Sequence, residues 1–191
     1  MDYILLPKSK GYKYVLVLVD SLSLFSILVS AKTANAEETA DLLYHNLFMM
    51  FGARTLLSDR ESAFKSSFVK TLCSQLGTSQ ICTSSRHPQT NSKAESFNKN
   101  ILDSLRTRCN SDIDWPLLLS TIAFSFRTTV VKLLSVSPYN VVFSRKPRLV
   151  VDELLLPPEN LPKTAKAYFD AMKPKLEILR ETVPQNQIQS H

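Results

Sequence analysis

A chain of 191 residues that is 44% apolar and 21% charged carries enough apolar side chain for a core, and its length fits one domain, or one domain plus an appendage. No run approaches the roughly 18 consecutive apolar residues of a membrane span, and residues 1–6 are too short, and too acidic at Asp2, for a secretory signal. Residues 1–150 hold 18 basic and 11 acidic side chains, net +7, and residues 151–191 hold 5 and 6, net −1, giving +6 in all. A basic body suits a polyanionic partner, although the same charge also serves plain solubility. The three cysteines, Cys73, Cys82 and Cys109, are odd in number and unclustered, which argues for a reducing compartment and against a cysteine zinc site.

In chain order, residues 2–6 read as a first strand and Gly11 as its turn. Tyr12 to Asp20 is β-branched and aromatic-rich and reads as a buried strand, with a third at Leu24 to Ser30. Asn35 is placed as an N-cap, with Glu38 completing a capping box. Leu42, Leu43, Leu47 and Met50 recur at helical spacing and predict an amphipathic helix over 36–51, closed by Gly52. Residues 54–58 form a fourth strand, entered by a crossover and so parallel to a neighbour. A helix from Phe64 to Leu76, stopped by Gly77, and a fifth strand at Thr78 to Thr83 follow.

Ser84 to Gln89 is a polar loop leading into a long helix over 91–109. That helix sets Phe97, Ile101, Leu102 and Leu105 on one side and Lys99, Arg106 and Arg108 elsewhere. Asp112 or Asp114 caps a further helix from Trp115 to about Arg127, with Trp115 and Phe124 in the core. A helical turn runs from Pro138 to Phe143, residues 145–162 are Pro-rich and extended, and residues 163–182 form a charged helix before a tail. The domain boundary falls near residue 150: a body over 1–150 and an appendage over 151–191. The order β-β-β-α-β-α-β-α-α predicts a three-layer α/β fold.

The chemistry is expected where three acids meet. Leu56-Leu57-Ser58-Asp59 reads as a buried strand ending in a carboxylate, and 35 residues separate Asp59 from Glu95 at the start of the long helix. Asp2 opens the first strand. If that strand lies centrally beside the fourth, Asp2 and Asp59 meet at one sheet end while the Glu95 helix crosses it. Clustered carboxylates suit Mg²⁺, a hard ion that takes oxygen ligands, and two such ions about 4 Å apart catalyse phosphodiester chemistry. The plain alternative for each acid is a turn or surface residue.

These residues resemble the catalytic core of retroviral and gypsy-type retrotransposon integrases. That family's pattern is an Asp with Gly-Pro-Leu-Pro soon after, a strand ending Val-Asp, then Ser-Asp-Arg-Gly-x-x-Phe, then His-Pro-Gln-x-x-Gly-x-x-Glu. Here stand Asp2 with Leu5-Leu6-Pro7, Val19-Asp20, Ser58-Asp59-Arg60-Glu61-Ser62-Ala63-Phe64, and His87-Pro88-Gln89-Thr90-Asn91-Ser92-Lys93-Ala94-Glu95. Ser137-Pro138-Tyr139 and Phe143-Ser144-Arg145-Lys146-Pro147 resemble the family's closing motif, so the resemblance covers roughly residues 1–150.

It implies an RNase H-like three-layer fold with a five-stranded mixed sheet flanked by helices. It implies a polynucleotidyl transferase using two Mg²⁺ or Mn²⁺ ions held by Asp2, Asp59 and Glu95. Water would attack a phosphodiester near the element's DNA end, and the freed 3′-hydroxyl would attack target DNA, with no covalent enzyme intermediate. DNA contacts are implied at Asn91, Lys99, Lys93 and His87. Lys99 lies one helical turn from Glu95 and shares its face, where a Glu–Lys pair on a solvated face is the simpler reading. The partners implied are element and target DNA and further copies of the chain, without a membrane, acting in the nucleus after passage through the cytoplasm. Asp20 is the rival to Asp2. Tyr3 is read as either a DNA contact or a packing residue.

The chain departs from the pattern at three glycines, replaced by Glu61, Ser92 and Ser144, each costing on the order of 1 kcal/mol where φ is positive. The Gly-Pro before Leu-Pro is missing, and Met1 alone precedes Asp2, so the first strand is expected to fray. No His-His-Cys-Cys zinc motif stands before Asp2, so the chain is expected to be a polyprotein fragment or a decayed or domesticated copy. A second reading is therefore a non-catalytic RNase H-like module that binds nucleic acid or protein. A ribonuclease or junction nuclease of the same fold fits the acid spacing and the His-Pro-Gln loop less well.

Overall fold

The computed structural model describes residues 1–59, 61–82, 88–109, 114–149, 164–171, 173, 174 and 177, and for residues 88–95 the backbone alone. Strands β1 (Asp2–Ser9) and β2 (Tyr12–Val19) pair antiparallel, Asp2 opposite Val17 and Leu5 opposite Tyr14. The register shifts between Leu5 and Ser9, where Pro7 has no N–H to give the ladder. Gly11 turns the hairpin at φ +87°, a conformation glycine adopts without steric cost. Val15 to Leu18 are all nearly solvent-free, which explains why β2 reads as a continuous apolar run rather than an alternating one. β3 (Ser26–Ala31) completes a three-stranded sheet in the order β1-β2-β3.

β4 (Thr55–Ser58) and β5 (Ser79–Cys82) pair in parallel across the helical segment between them, in a second sheet. The expected single five-stranded sheet is thus divided into sheets of three and two strands. The Met1 ammonium donates to the Leu57 carbonyl at 2.7 Å, and β1 and β4 lie in different sheets where a ladder between them was expected. Asp2 itself is not frayed. It stands in register with Val17, and Met1 is anchored on β4.

Asn35 caps helix α1 (Ala36–Leu43) by accepting the Glu38 N–H at 2.8 Å. The Glu38 carboxylate does not close the capping box. It accepts from the Lys32 and Thr33 amides at 2.8 and 2.7 Å and from the Thr33 hydroxyl at 2.6 Å. Burial alone would raise its pKa, but the bonds from Thr33 and Lys32 outweigh it and hold the carboxyl below the ordinary range. A depressed folded pKa gives stability that is present above the unfolded pKa and lost as pH falls through the folded one. Glu38→Gln is expected to lower stability at pH 7 by about 1 kcal/mol, the net worth of a hydrogen bond to a charged group at a partly exposed site. In urea titrations that gap closes as pH drops below the ordinary Glu value of about 4.3, and a gap that persisted in acid would remove the charge from the account.

After Leu43 the helix passes through a π-helical turn (Tyr44–Phe48) into α2 (Met49–Phe51), ending at Gly52. A π turn holds an extra residue and shifts the inward face. Leu43 and Phe48 are therefore the buried pair, and Met50, predicted on the inner face, is 68% exposed. Helix α3 (Ser67–Gln75) starts three residues later than predicted, because Ser66 caps it by accepting the Val69 N–H at 3.3 Å. Leu16, Leu18, Leu43, Phe48, Leu56, Phe64, Val69 and Cys73 form one buried cluster joining strands to helices.

Helix α4 (Pro88–Arg108) begins ahead of the predicted start and takes in the backbone of Asn91, Ser92, Lys93 and Glu95. Ile101 and Leu105 are buried, while Lys99, Arg106 and Arg108 face water, as the spacing predicted. Ahead of helix α5 (Trp115–Thr128), the Asp114 carbonyl accepts the Leu117 N–H at 3.1 Å, and its carboxylate ties to Ser9 Oγ at 2.6 Å and Lys10 Nζ at 3.1 Å. The buried Trp115 donates its indole N–H to the Pro7 carbonyl at 2.8 Å. Asp112 lies outside the described residues.

The chain divides into two compact units: Met1–Val19 with Ile27–Ala123, and Asp20–Ser26 with Phe124–His191. In the second, the Arg127 guanidinium lies 4.7 Å over the Phe25 ring and bonds the Ser26 carbonyl. Phe124, expected in the core, is 40% exposed, because Ile122 and Ala123 take the inner face of α5. Helix α6 (Pro138–Phe143), capped by Ser137, ends at Ser144 with φ +54°. At this position the lost glycine has its expected consequence: Ser144 is buried in a left-handed conformation, with no partner for its hydroxyl among the described residues. Glu61 is not among the positive-φ residues and Ser92 is helical, so neither carries that strain. Residues 150–163, most of the predicted extended segment, lie outside the described set, and residues 165–171 are helical within the predicted 163–182.

Candidate metal centre

Asp2 opens β1, and Asp59 follows the last residue of β4, so each carboxylate is fixed at a strand end. Both are half-buried, and the exposed Glu61 joins them. One carboxylate oxygen from each of the three lies within 4.8 Å of the others. The Asp59 Oδ1 accepts the Glu61 N–H at 2.9 Å, a local turn that fixes the carboxylate. Asp2 is held from two sides: Oδ1 accepts the Tyr3 N–H at 2.8 Å and Oδ2 accepts the Asn98 side-chain amide. The segment after Asp59 is pinned by Phe64, whose ring stacks on Tyr3 at 5.3 Å and whose carbonyl accepts from Gln80 of β5.

The electrostatics follow from this crowding. Burial, then the charges of Asp59 and Asp2, raise the Glu61 pKa above the ordinary carboxylate range. Burial lowers the pKa of the Met1 ammonium, and Asp2 and Asp59 oppose that fall. None of the three acids is bridged to a lysine or arginine among the described residues. Convergent carboxylate oxygens are a donor set that fits Mg²⁺ or Mn²⁺ and not a soft metal.

Of the sequence-predicted residues, the structure brings Asp2 and Asp59 together. Glu95 is on α4 three residues before Asn98, and its side chain, like those of Asn91 and Lys93, is outside the described residues. His87 is outside them altogether. Lys99 is an exposed residue of α4. Asp20 accepts from the Ser23 amide and hydroxyl at 2.7 and 2.6 Å, which makes it a turn residue. Tyr3 is a packing residue, with its hydroxyl bonded to Thr39 at 2.9 Å.

Sequence reasoning missed Asn98 and treated Glu61 as a departure that adds negative charge beside Asp59. The available signal for Asn98 was its position three residues after Glu95, on the same helical face. An amide that orients a ligand acts in the second layer of a metal site, where substitution typically costs about 10–100-fold in affinity or activity. Asn98→Ala is expected to weaken Mn²⁺ binding by that order. Isothermal titration checks it, and an unchanged affinity would reduce the contact to packing.

Residues 1–88, which include Asp2 and Asp59, match the family model described as Integrase core domain. The chain is 25% identical over 147 residues to the Retrovirus-related Pol polyprotein from transposon 412 of Drosophila melanogaster, covering 75% of this chain and 12% of that protein. It is 27% identical over 186 residues to the Gag-Pol polyprotein of avian reticuloendotheliosis virus, covering 94% and 16%. It is 27% identical over 158 residues to the Transposon Tf2-3 polyprotein of Schizosaccharomyces pombe, covering 81% and 12%. The chain thus spans between 12% and 16% of the length of these relatives. The matches support a retroviral-type integrase catalytic core, with the RNase H-like α/β fold that such a core implies.

Proposed function

Starting from a retroviral-type integrase core, we propose that this chain is a metal-dependent polynucleotidyl transferase of DNA integration, carrying out 3′-end processing and strand transfer. The convergence of the Asp2 and Asp59 carboxylates at two strand ends carries the proposal. Asp2 and Asp59, with Glu95 from α4, would hold the divalent ions. When bound, such ions neutralise phosphate charge and make a water or hydroxyl a better nucleophile.

The chain's own residues prepare that chemistry. Asn98 and the Tyr3 amide orient Asp2, and the Glu61 amide orients Asp59. Lys99 offers a cation to DNA phosphate from α4, and Asn91, Lys93 and His87 are proposed beside it. In the first step, water oxygen bonds to phosphorus and a DNA 3′-oxygen leaves as hydroxyl. In the second, that hydroxyl bonds to a target phosphorus and a target 3′-oxygen leaves, so the count of phosphodiester bonds is conserved and no external energy source is needed. The partners proposed are element ends, target DNA and further copies of the chain, in the nucleus.

Nicking of supercoiled plasmid DNA in Mn²⁺ tests the reading. Cleavage that disappears in EDTA and in Asp2→Asn supports it. Salt-sensitive DNA binding with no metal-dependent cleavage would leave the alternative, a non-catalytic RNase H-like binding module.

A further inference from the structure

Glu61 stands where the resembled pattern has glycine. Its backbone does not need glycine, since its φ is not positive and its N–H closes the turn on Asp59 at 2.9 Å. A side chain is therefore accommodated at this position without distorting the Asp59 turn. That side chain brings its carboxylate to the pair already present, with one oxygen from each acid inside 4.8 Å. Two like charges about 4 Å apart repel by about 1 kcal/mol even in water. A divalent cation turns this repulsion into attraction, and oxygen donors are what Mg²⁺ and Mn²⁺ take.

We propose that Glu61 is an additional carboxylate ligand to the divalent cation, supplied from the Asp59 turn. This rests on the preceding reading that the cation binds at Asp2 and Asp59. Where the pattern has glycine, water would complete the coordination. Here a protein oxygen does, so the chain binds its metal more tightly in the absence of DNA.

The test is Mn²⁺ binding by the full chain without DNA, measured by titration calorimetry and by the metal-induced rise in Tm, for wild type, Glu61→Gln, Glu61→Gly and Asp59→Asn. Glu61→Gln and Glu61→Gly are expected to weaken Mn²⁺ binding at least about 10-fold, with a Tm in EDTA equal to or above wild type, because repulsion has been removed. Wild-type affinity in both Glu61 variants, with binding lost in Asp59→Asn, overturns the Glu61 assignment and leaves the site. Wild-type affinity in Asp59→Asn overturns the site itself. A Tm in EDTA lowered by Glu61→Gln as much as in Mn²⁺ overturns the ligand role in favour of a structural one.

Discussion

Asp59→Asn is expected to lower Mn²⁺-dependent DNA nicking by more than about 100-fold while leaving the fold intact. Second-layer groups of metal sites are worth about 10–100-fold, and a side chain that touches the ion is worth more. Asparagine keeps the oxygen that accepts the Glu61 N–H, so the turn survives. It removes one of three crowded negative charges, so stability without metal is expected to hold or rise. Activity assays paired with thermal melts in EDTA separate the two effects. A variant that melts like wild type and still nicks DNA at the wild-type rate would take the chemistry away from Asp59.

The second large effect is expected at Phe64. Its side chain is fully buried and stacks with an interplanar angle of 2° on Tyr3, the residue beside Asp2. Through that contact and the Gln80 bond to its carbonyl, Phe64 joins β1, β5 and the segment that carries Asp59. Phe64→Ala is expected to cost about 3–5 kcal/mol, as large-to-small core substitutions do. For a chain of this length that is a fall in Tm on the order of 10 °C. Mn²⁺ affinity is expected to fall with it, because Asp2 and Asp59 lose their shared support. Thermal denaturation checks the first expectation, and a shift of a degree or two would show that the site collapses around the missing ring.

What was legible in the sequence was mainly what regular spacing encodes. β2 showed as an unbroken apolar run because both of its faces are covered, and the buried side of α4 followed from Ile101 and Leu105. β4 is parallel to a neighbour, but that neighbour is β5, reached through α3, and not a strand reached through the helix before β4. The division into two sheets was not legible, since the number of bonds between β1 and β4 is set by how far the strands overlap. The motifs singled out Asp2 and Asp59, whose carboxylates lie close together. Glu61 was read as a lost glycine that adds negative charge, and its place in the carboxylate cluster was not legible, because a residue in a glycine position reads first as a loss. Asn98 was missed because an amide in a helix looks the same whether it faces water or a carboxylate. Ser144 was a partial success: the sequence flagged the missing glycine, and its positive φ supplied the consequence.

The π turn at Tyr44–Phe48 bears on how this chain is compared with its relatives. Against a helix of uninterrupted α pitch, one position has to be skipped between residues 44 and 48 before the side chains beyond it correspond. Without that gap, Phe48 is matched to a solvent-facing position, and Met50 and Phe51 are mistaken for interior ones. An alignment corrected in this way carries the proper frame forward into β4, and so to Asp59.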